Sequence, residues 1–409
     1  MTKYSPNPEY QKQHWERSYG SIPNGWDYVT IGSLFTERQE KSSNMEEFPL
    51  YSFTIQDGVT PKTERYERSF LLKSEENEFS VVRLNDFVFN PMNLRFGAIS
   101  YSRIKMPVSV SAYYNVLIAQ QEKIDHDYME TFFRSHPVMN LYDRIAIGSL
   151  IEKRRVHLSI LEKTFIPLPP IKEQKAIGET FRKWDRSIDL TQQLIAEKRL
   201  RRKGLMQQLL TGKRRLPGFA GEWRKVRLGD IFRNRTESGR TDLSLVSIAA
   251  DRGVIPRDEI YRKDSSSEDK SKYLRICPGD IGYNTMRMWQ GVSGLSSVEG
   301  IVSPAYTIVT PRGGIFGEFM AILFKFQPVV HLFYRHSQGL VSDTWNLKFR
   351  HFARIKVTIP DDDEQKAIAK VFQSIDRELE LLQTKVNALR EQKKGLMQQL
   401  LTGKKRVKV

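Results

Sequence analysis

The stretch KGLMQQLLTGKRR at residues 203–215 recurs almost unchanged as KGLMQQLLTGKKR at residues 394–406. Upstream of it, EQKAI begins at Glu173 and again at Glu364, which is the same offset of 191 residues. Aligned without gaps, residues 173–215 and 364–406 share 23 identities in 43 positions. A common offset over this length predicts one long duplicated unit, and a repeat of this kind constrains the whole architecture.

Weaker matches extend the duplication through most of the 409 residues. DFVFNPM at 86–92 matches DIGYNTM at 280–286, and VSAYYNV at 110–116 matches VSPAYTIV at 302–309. The pattern W-x-x-V-x-x-G-x-x-F occurs at 26–35 and at 223–232. The predicted order is therefore domain, helix, domain, helix, with domains at residues 1–168 and 216–360 and helical segments at 169–215 and 361–409.

Both helical segments repeat apolar residues every seven positions, with a second row four positions later, a spacing typical of a coiled-coil seam. Each helix of about 40 residues would be about 60 Å long. Because a lone exposed heptad helix is unstable, we expect the two to pack on each other as an antiparallel, pseudo-twofold coiled coil. A four-helix bundle or a coil between two copies of the chain is the alternative. The residues expected to form this seam and to bind partners are Ile177, Phe181, Trp184, Leu205, Leu209, Ile368, Phe372, Ile375, Leu396 and Leu400.

The two globular domains contain short β-branched and aromatic runs, such as FVFN and PAYTIVT, separated by Gly, Pro, Asn and Ser. Such runs predict short strands. A helix is expected around residues 127–140, with its counterpart around residues 316–331. The predicted fold class is α+β, with two duplicated domains separated by two long helices.

The chain has 65 Lys and Arg against 48 Asp and Glu, a net charge of +17. An excess of this size points to a polyanionic partner, although a solubilising surface is the alternative. The charge is uneven, because residues 1–170 carry a net −1 and residues 216–361 a net +6. The candidate DNA contacts are Asn90, Arg95, Arg103 and Lys105 in the first domain, and Arg235, Arg240, Arg252, Lys263, Asn284 and Arg287 in the second.

The sequence shows no catalytic motif. The one cysteine, Cys277, excludes a disulfide framework and a cysteine zinc site, and the seven histidines lack metal-ligand spacing. Pro360-Asp361 followed by Glu364 and Lys366 imitates a nuclease motif, but helix capping is the better interpretation. No apolar run suits a membrane span or a signal peptide, so we expect a cytoplasmic protein. Because the motifs above are absent, we also expect no catalytic residue, no metal and no bound cofactor in this chain.

Two divergent domains, each followed by a near-identical long helix, resemble the specificity (S) subunit of type I restriction-modification systems. FIPLPPIKEQKAI from Phe165 and VTIPDDDEQKAI from Val357 are similar to that family's junction between a target-recognition domain and its helix. DFVFNPM with SAYYNV, and DIGYNTM with SPAYTIV, resemble the strand motifs of its recognition domains.

The resemblance implies a non-catalytic subunit in which each recognition domain reads one half of a bipartite DNA target and the helices set the spacing between the halves. It also implies two methyltransferase (modification) subunits docked along the helices, and ATP-dependent restriction subunits. S-adenosylmethionine, ATP and Mg²⁺ would then be bound by those partners. The alternatives are a DNA-binding scaffold without methyltransferase partners, and a self-sufficient nuclease or methyltransferase.

Overall fold

The computed structural model describes residues 7–61, 78–150, 153–249, 252–257, 269–341 and 344–408. The chain divides into two compact units. Unit 1 combines residues 1–192 with residues 385–409, and unit 2 comprises residues 193–384. Each unit thus contains one of the two domains expected from the sequence together with part of each long helix.

Unit 1 is a mixture of short strands and helices. In chain order it contains α1 (Pro8–Tyr19), β1 (Asp27–Thr30), β2 (Phe35–Glu37), β3 (Lys41–Ser42), β4 (Tyr51–Thr54), β5 (Gly58–Pro61), β6 (Phe79–Val82), β7 (Phe87–Phe89), β8 (Ile99–Tyr101), β9 (Val108–Val110), β10 (Asn115–Ala119), α2 (His126–Phe133), α3 (His136–Ile145), α4 (Leu158–Leu161), β11 (Phe165–Leu168) and the start of α5 (Ile171–Leu209). The strand pairs among the described residues of this unit are antiparallel, and the largest of its sheets has the order β2-β10-β7-β8.

The central strand β7 is covered on both faces. Phe87 and Phe89 point into a core shared with the aromatic residues of α2 and α3, such as Phe133. Val88, between them, packs in a second cluster of valines that includes Val108 and Val116. Because side chains alternate across a strand, this arrangement places helices on one face of the sheet and a smaller β layer on the other.

Unit 2 repeats this arrangement. It contains β12 (Arg224–Arg227), α6 (Leu228–Ile231), β13 (Phe232–Arg235), β14 (Val246–Ala249), β15 (Gly253–Pro256), β16 (Leu274–Ile276), β17 (Ile281–Asn284), β18 (Ser293–Leu295), β19 (Gly300–Val302), β20 (Tyr306–Pro311), α7 (Gly317–Leu323), α8 (Gln327–His336), α9 (Phe349–Phe352), β21 (Lys356–Ile359) and the start of α10 (Asp362–Leu400). Its largest sheet, β13-β20-β17-β18, has the topology of β2-β10-β7-β8.

Gly282 occupies the position in β17 that Val88 has in β7. Ile281 and Tyr283 face the helical core, whereas the opposite face carries a cluster that includes Ile248 and Ile308. A Cβ atom at Gly282 would lie 2.3 Å from Ile248 Cδ1, so the larger isoleucines of unit 2 fill the space that the valine side chain takes in unit 1. In unit 1 a valine of the central strand packs against valines, whereas in unit 2 a glycine at that position packs against isoleucines. The two β layers are therefore filled by different combinations of large and small residues.

The helices α5 and α10 pair antiparallel within each unit. In unit 1, Glu173 near the start of α5 pairs with Arg406 after the end of α10, and Asp185 pairs with Lys393. In unit 2, the ion pairs are Arg202–Asp376, Lys198–Glu378 and Arg215–Glu364. One residue number rises as its partner's falls, so the predicted antiparallel packing is confirmed inside each unit, as is the α+β fold class.

Both expected domain helices are split in two. In place of one helix at 127–140 the structure has α2 and α3, and in place of one at 316–331 it has α7 and α8, which ends at His336. Pro137 and Pro328 are in the first turns of α3 and α8. Proline lacks an N–H and clashes with the preceding turn, so it begins a helix instead of continuing one.

Candidate nucleic-acid interface

The Glu-Gln dipeptide at the start of each EQKAI motif joins the domain to the helix. Glu173, whose side chain is 1% exposed, accepts hydrogen bonds from Trp26 Nε1 (3.0 Å) and from Arg406 Nε and Nη2 (2.6 and 2.7 Å). Glu364 accepts the matching bonds from Trp223 Nε1 (3.1 Å) and from Arg215 (2.6 Å each). Buried carboxylates need such partners, because an unpaired buried charge is costly.

The glutamine that follows binds backbone groups of two separate segments. Gln174 Oε1 accepts from the N–H of Asp125, and its Nε2 donates to the carbonyls of Lys123 and Pro169. Gln365 makes the same contacts to Phe316 and Pro360. The EQKAI motif is thus a structural junction in both units, while Asp361 caps α10 by accepting from the Glu364 N–H at 2.9 Å, as predicted.

Asn90 and Asn284 each shape a turn after the central strand. Asn90 Oδ1 accepts from the Met92 N–H at 3.0 Å, and Asn284 Oδ1 accepts from the Met286 N–H at 3.0 Å. A 3₁₀ turn follows in each unit, closed by a left-handed glycine. Side-chain bonds of this kind stabilise turns, so both asparagines position the residues beside them, and a direct DNA contact by either stays a prediction.

The first-domain candidates differ in what they contact. Arg95 is 7% exposed and its Nη1 lies 2.9 Å from Asp143 Oδ1. Arg103 stacks on the Tyr101 ring and binds Glu130, with Nη2 2.6 Å from Oε2, although half of its side chain is exposed. Lys105 is exposed in the loop between β8 and β9.

Two second-domain arginines are held by carboxylates. Arg235 makes a bidentate pair with the buried Asp280 (2.7 and 3.2 Å), and this bond raises the pKa of its guanidinium. Arg240 makes a bidentate pair with the exposed Asp242 and lowers the pKa of that carboxyl to about 2. Arg38 and Asp86 form the pair in unit 1 that corresponds to Arg235 and Asp280.

Three candidates remain. Arg252 is exposed at the turn between β14 and β15, and Arg287 is exposed at the start of the 3₁₀ turn after β17. Lys263 lies outside the described residues. Within the described ranges, neither Arg252 nor Arg287 forms an ion pair, so these two have guanidiniums available to a ligand.

A basic cluster in unit 2 was missed from the sequence. It comprises His336 at the end of α8 with Lys348, Arg350, His351 and Arg354 around α9, and is called the α9 basic cluster below. Lys348, Arg350 and Arg354 are exposed, and Arg350 Nε donates to His351 Nε2 at 2.9 Å. Burial first, and then the positive charges of Arg350, Arg354, His336 and Lys348, lower the pKa of His351. The stretch KFRHFAR at 348–354 could have indicated this cluster. It was overlooked because it lies near the Glu364-Gln365 junction and outside the strand motifs from which the candidates were chosen.

A cleft of about 430 Å³ borders this cluster. Its lining comprises Lys348, Phe349 and Arg350, residues 234–236 at the end of β13, and Leu274, Tyr306 and Thr307. Hydroxyl, amide and cationic groups therefore converge on one concavity beside an aromatic ring. Groups of these types suit contacts to sugar-phosphate backbones.

The predicted seam residues lie on the inner faces of the helices. In unit 1, Ile177, Phe181 and Leu400 are buried, with Leu396 packed against them. In unit 2, Leu209, Ile368 and Phe372 are buried with Leu205 beside them. Trp184 and Ile375 are half-buried. These side chains pack within the chain itself, and their binding to another protein stays a prediction.

Other helix residues are more accessible. Within unit 2, Leu200 of α5 is 71% exposed and Leu381 of α10 is 55% exposed. A groove of about 520 Å³, lined by Leu205, Val371 and Ile375 among others, also lies along the helices of this unit. Exposed leucines on long helices indicate surfaces that another helix can cover.

His, Cys, Asp and Glu residues of the described ranges do not gather into a group able to hold a metal ion. No helix in the same ranges combines the length and the apolar character needed to cross a membrane.

Comparison with known proteins gives a consistent result. A family model described as the type I restriction modification DNA specificity domain matches residues 23–197 and 323–391. The MjaVIII specificity subunit of a type I restriction enzyme from Methanocaldococcus jannaschii is 24% identical over 434 residues, covering 98% of this chain and 97% of its own.

Solved structures share the fold. An S subunit of a type I restriction-modification system from M. genitalium is 15% identical, with a TM-score of 0.56 over 93% of this chain and 97% of that one. The HsdS subunit from Thermoanaerobacter tengcongensis is 16% identical, with a TM-score of 0.50 over 94% of this chain and 98% of that one.

Proposed function

The chain belongs to the type I restriction modification DNA specificity family, and from this premise we propose that each of its units reads one half of a split DNA target. It is the specificity subunit of a type I system, a non-catalytic component whose family role is DNA target recognition. One observation carries the proposal. Both units contain the same Glu-Gln junction and the same asparagine turn after the central strand, but the exposed side chains around these features differ between the units. A duplicated scaffold that differs at its surface suits the reading of two different short sequences.

Within each unit, we assign base reading to the region of the turn after the central strand. Asn90 and Asn284 fix that turn, and Arg287 is exposed beside it. An arginine can bind the major-groove edge of guanine with two hydrogen bonds, which is the commonest specific contact to DNA. Ion-paired residues such as Arg235 would instead keep their strand edges in place.

The long helices, in this proposal, set the gap between the two half-sites. The test removes one heptad from each helix, residues 190–196 and 382–388, because a seven-residue step keeps the apolar rows in phase. At about 1.5 Å per residue this shortens each helix by about 10 Å, or about three base pairs of DNA. A recognised motif whose gap shortens by about that amount supports the proposal, and an unchanged gap contradicts it.

Two methyltransferase subunits and the restriction subunits are the proposed partners, with the exposed helix leucines as docking positions. L200E with L381E would place charges on that surface without touching the buried seam. We expect this variant to bind less methyltransferase in a pull-down from co-expressing cells. The control is R199E with E380K, which reverses the charges of two exposed residues on the same helices. It places no charge on an apolar surface, so it should leave methyltransferase binding unchanged.

The chemistry of the complex would be supplied by those partners. S-adenosylmethionine for methyl transfer, and ATP with Mg²⁺ for restriction, are proposed to bind them and not this chain, and the complex is proposed to work in the cytoplasm. The direct test of the function is a selection from random duplex DNA with the purified complex. A split motif with a constant gap is the expected result, and sequence-independent binding would contradict it.

A further inference from the structure

The α9 basic cluster concentrates positive charge that its own unit leaves uncompensated. Within the described ranges, no carboxylate forms an ion pair with Lys348, Arg350 or Arg354. The largest charge effects on His351 all come from cations of the cluster. Like charges at close range repel, so the cluster costs the folded chain free energy in the absence of an anion.

Other arginines of the same unit form ion pairs with carboxylates. Arg235 binds Asp280, Arg240 binds Asp242, and Arg275 binds both Glu237 and Glu299. These three arginines are neutralised by carboxylates of their own unit, whereas among the described residues the cations of the α9 basic cluster are not.

The duplication supplies an internal comparison. At the 191-residue offset, His336, Lys348, Arg350, His351 and Arg354 correspond to Ile145, His157, Ser159, Ile160 and Lys163. Unit 1 builds the matching helices α3 and α4 with a single lysine at these five positions. The fold does not require the cluster, so its charge serves a purpose specific to unit 2.

The cleft beside the cluster indicates the kind of partner. Lys348 and Arg350 line it together with Asn234, Thr236 and Thr307, whose side chains add hydrogen-bonding groups. Several cations spread around a polar cleft match a chain of phosphates better than a single carboxylate. The amide and hydroxyl groups can bind phosphate and sugar oxygens in the same way.

We propose that the α9 basic cluster and its cleft form a surface of unit 2 that binds the sugar-phosphate backbone of duplex DNA. The inference rests on the proposed function. It adds that the backbone contact lies at the α9 basic cluster and that unit 2 makes it while unit 1 does not. Unit 2 would then supply most of the salt-dependent affinity, and unit 1 would hold DNA with fewer ionic contacts.

The experiment compares the wild-type complex with K348Q/R350Q/R354Q by fluorescence anisotropy between about 50 and 300 mM KCl. Two duplexes are used, one with the recognised motif and one with that motif scrambled. Each phosphate contact contributes about 0.9 to the slope of log affinity against log salt, so the slope should become shallower by about 2 to 3 for both duplexes. The ratio of affinities for the two duplexes should stay the same, because backbone contacts carry no sequence information.

Two further variants sharpen the comparison. K12Q/R17Q/K41Q removes the same charge from exposed positions of unit 1 and should leave the slope within about one unit of wild type. H157K/S159R places cluster-like charges on unit 1 and should steepen the slope by up to about 2. Circular dichroism melting checks each variant's fold, and R350Q alone serves if the triple variant is unstable.

The possible results distinguish a failure of the proposed function from a failure of the inference about the α9 basic cluster. A wild-type complex without salt-dependent duplex binding would remove the proposed function itself. If the wild type binds and K348Q/R350Q/R354Q keeps the full slope, the inference is wrong while the function stands. Equal losses in the triple variant and its unit 1 control would indicate a long-range field and also overturn the inference. A triple variant that binds DNA normally but no longer co-purifies with the methyltransferase would assign the cluster to an acidic protein surface instead.

Discussion

Arg406 and Glu173, which lie 233 residues apart in sequence, form a bidentate ion pair with Nε–Oε1 and Nη2–Oε2 distances of 2.6 and 2.7 Å. The bond connects the segment after α10 to the first turn of α5. Arg215 and Glu364 form the same pair in unit 2. Each unit therefore fastens the start of one long helix to the segment that follows the other.

Loss of this pair should destabilise one unit at a time. R406A leaves the buried Glu173 carboxylate with only its Trp26 partner, and R215A does the same to Glu364. We expect each substitution to lower the free energy of unfolding by about 2 kcal/mol, a value typical of hydrogen bonds to charged groups. Urea unfolding followed by tryptophan fluorescence measures the effect, with K404A as the exposed control. Wild-type stability in both variants would show that the pairs do not hold the junctions.

The packing at Gly282 predicts a rescue. G282A places a Cβ against Ile248 Cδ1 and near the Cδ1 atoms of Ile276 and Ile308, which should cost about 1 to 3 kcal/mol of stability. I248V removes the closest of those atoms, so the double variant should be more stable than G282A alone. Chemical unfolding of the single and double variants forms the test, and additive losses would contradict this account of the β layer.

Arg287 should contribute to one half of the target only. Replacing it with glutamine is expected to relax the sequence requirement at one position in the half read by unit 2, by about 1 to 3 kcal/mol. K105Q changes an exposed cation of unit 1 in the loop between β8 and β9, and it should act on the other half, if at all. Methylation of a library of variant targets by the reconstituted complex measures both. A uniform loss across all targets would make Arg287 a backbone contact instead.

DNA affinity should rise as the pH falls from about 8 to about 6. The lowered pKa of His351 keeps its ring neutral near pH 7 in the free chain, because burial and the charges of Arg350, Arg354, His336 and Lys348 oppose a further proton. Phosphates at the cluster would offset those charges and raise the pKa, so binding takes up a proton and tightens towards acid. H351Q should flatten this dependence, and an unchanged pH profile in H351Q would exclude His351 as its source.

The sequence predicted the helices more closely than the domains. The heptad repeat predicted one helix of about 40 residues in each of the segments 169–215 and 361–409, and the structure has Ile171–Leu209 and Asp362–Leu400. Gly212 and Gly403 adopt the left-handed conformation expected of residues after a helix end. Periodicity is a local property of the chain, so it can be followed without knowledge of the tertiary fold.

Features that depend on distant residues could not be read in the same way. The sheet order β2-β10-β7-β8 brings together strands from positions 35 to 119, and no local pattern encodes that order. The buried role of Glu173 depends on Trp26 and Arg406, which are remote in sequence. Arg235 was a DNA candidate because of its charge, but the sequence does not reveal that Asp280 lies opposite it.

The most direct test of the central claim is a map of N6-methyladenine in a host without DNA methylation of its own. The host carries the methyltransferase subunit either alone or together with this chain. Our account predicts that the chain adds methylation at one split motif with a constant gap, and that the methyltransferase alone adds none there. Methylation that is the same with and without the chain, while both proteins are expressed, would contradict the assignment of target choice to this chain.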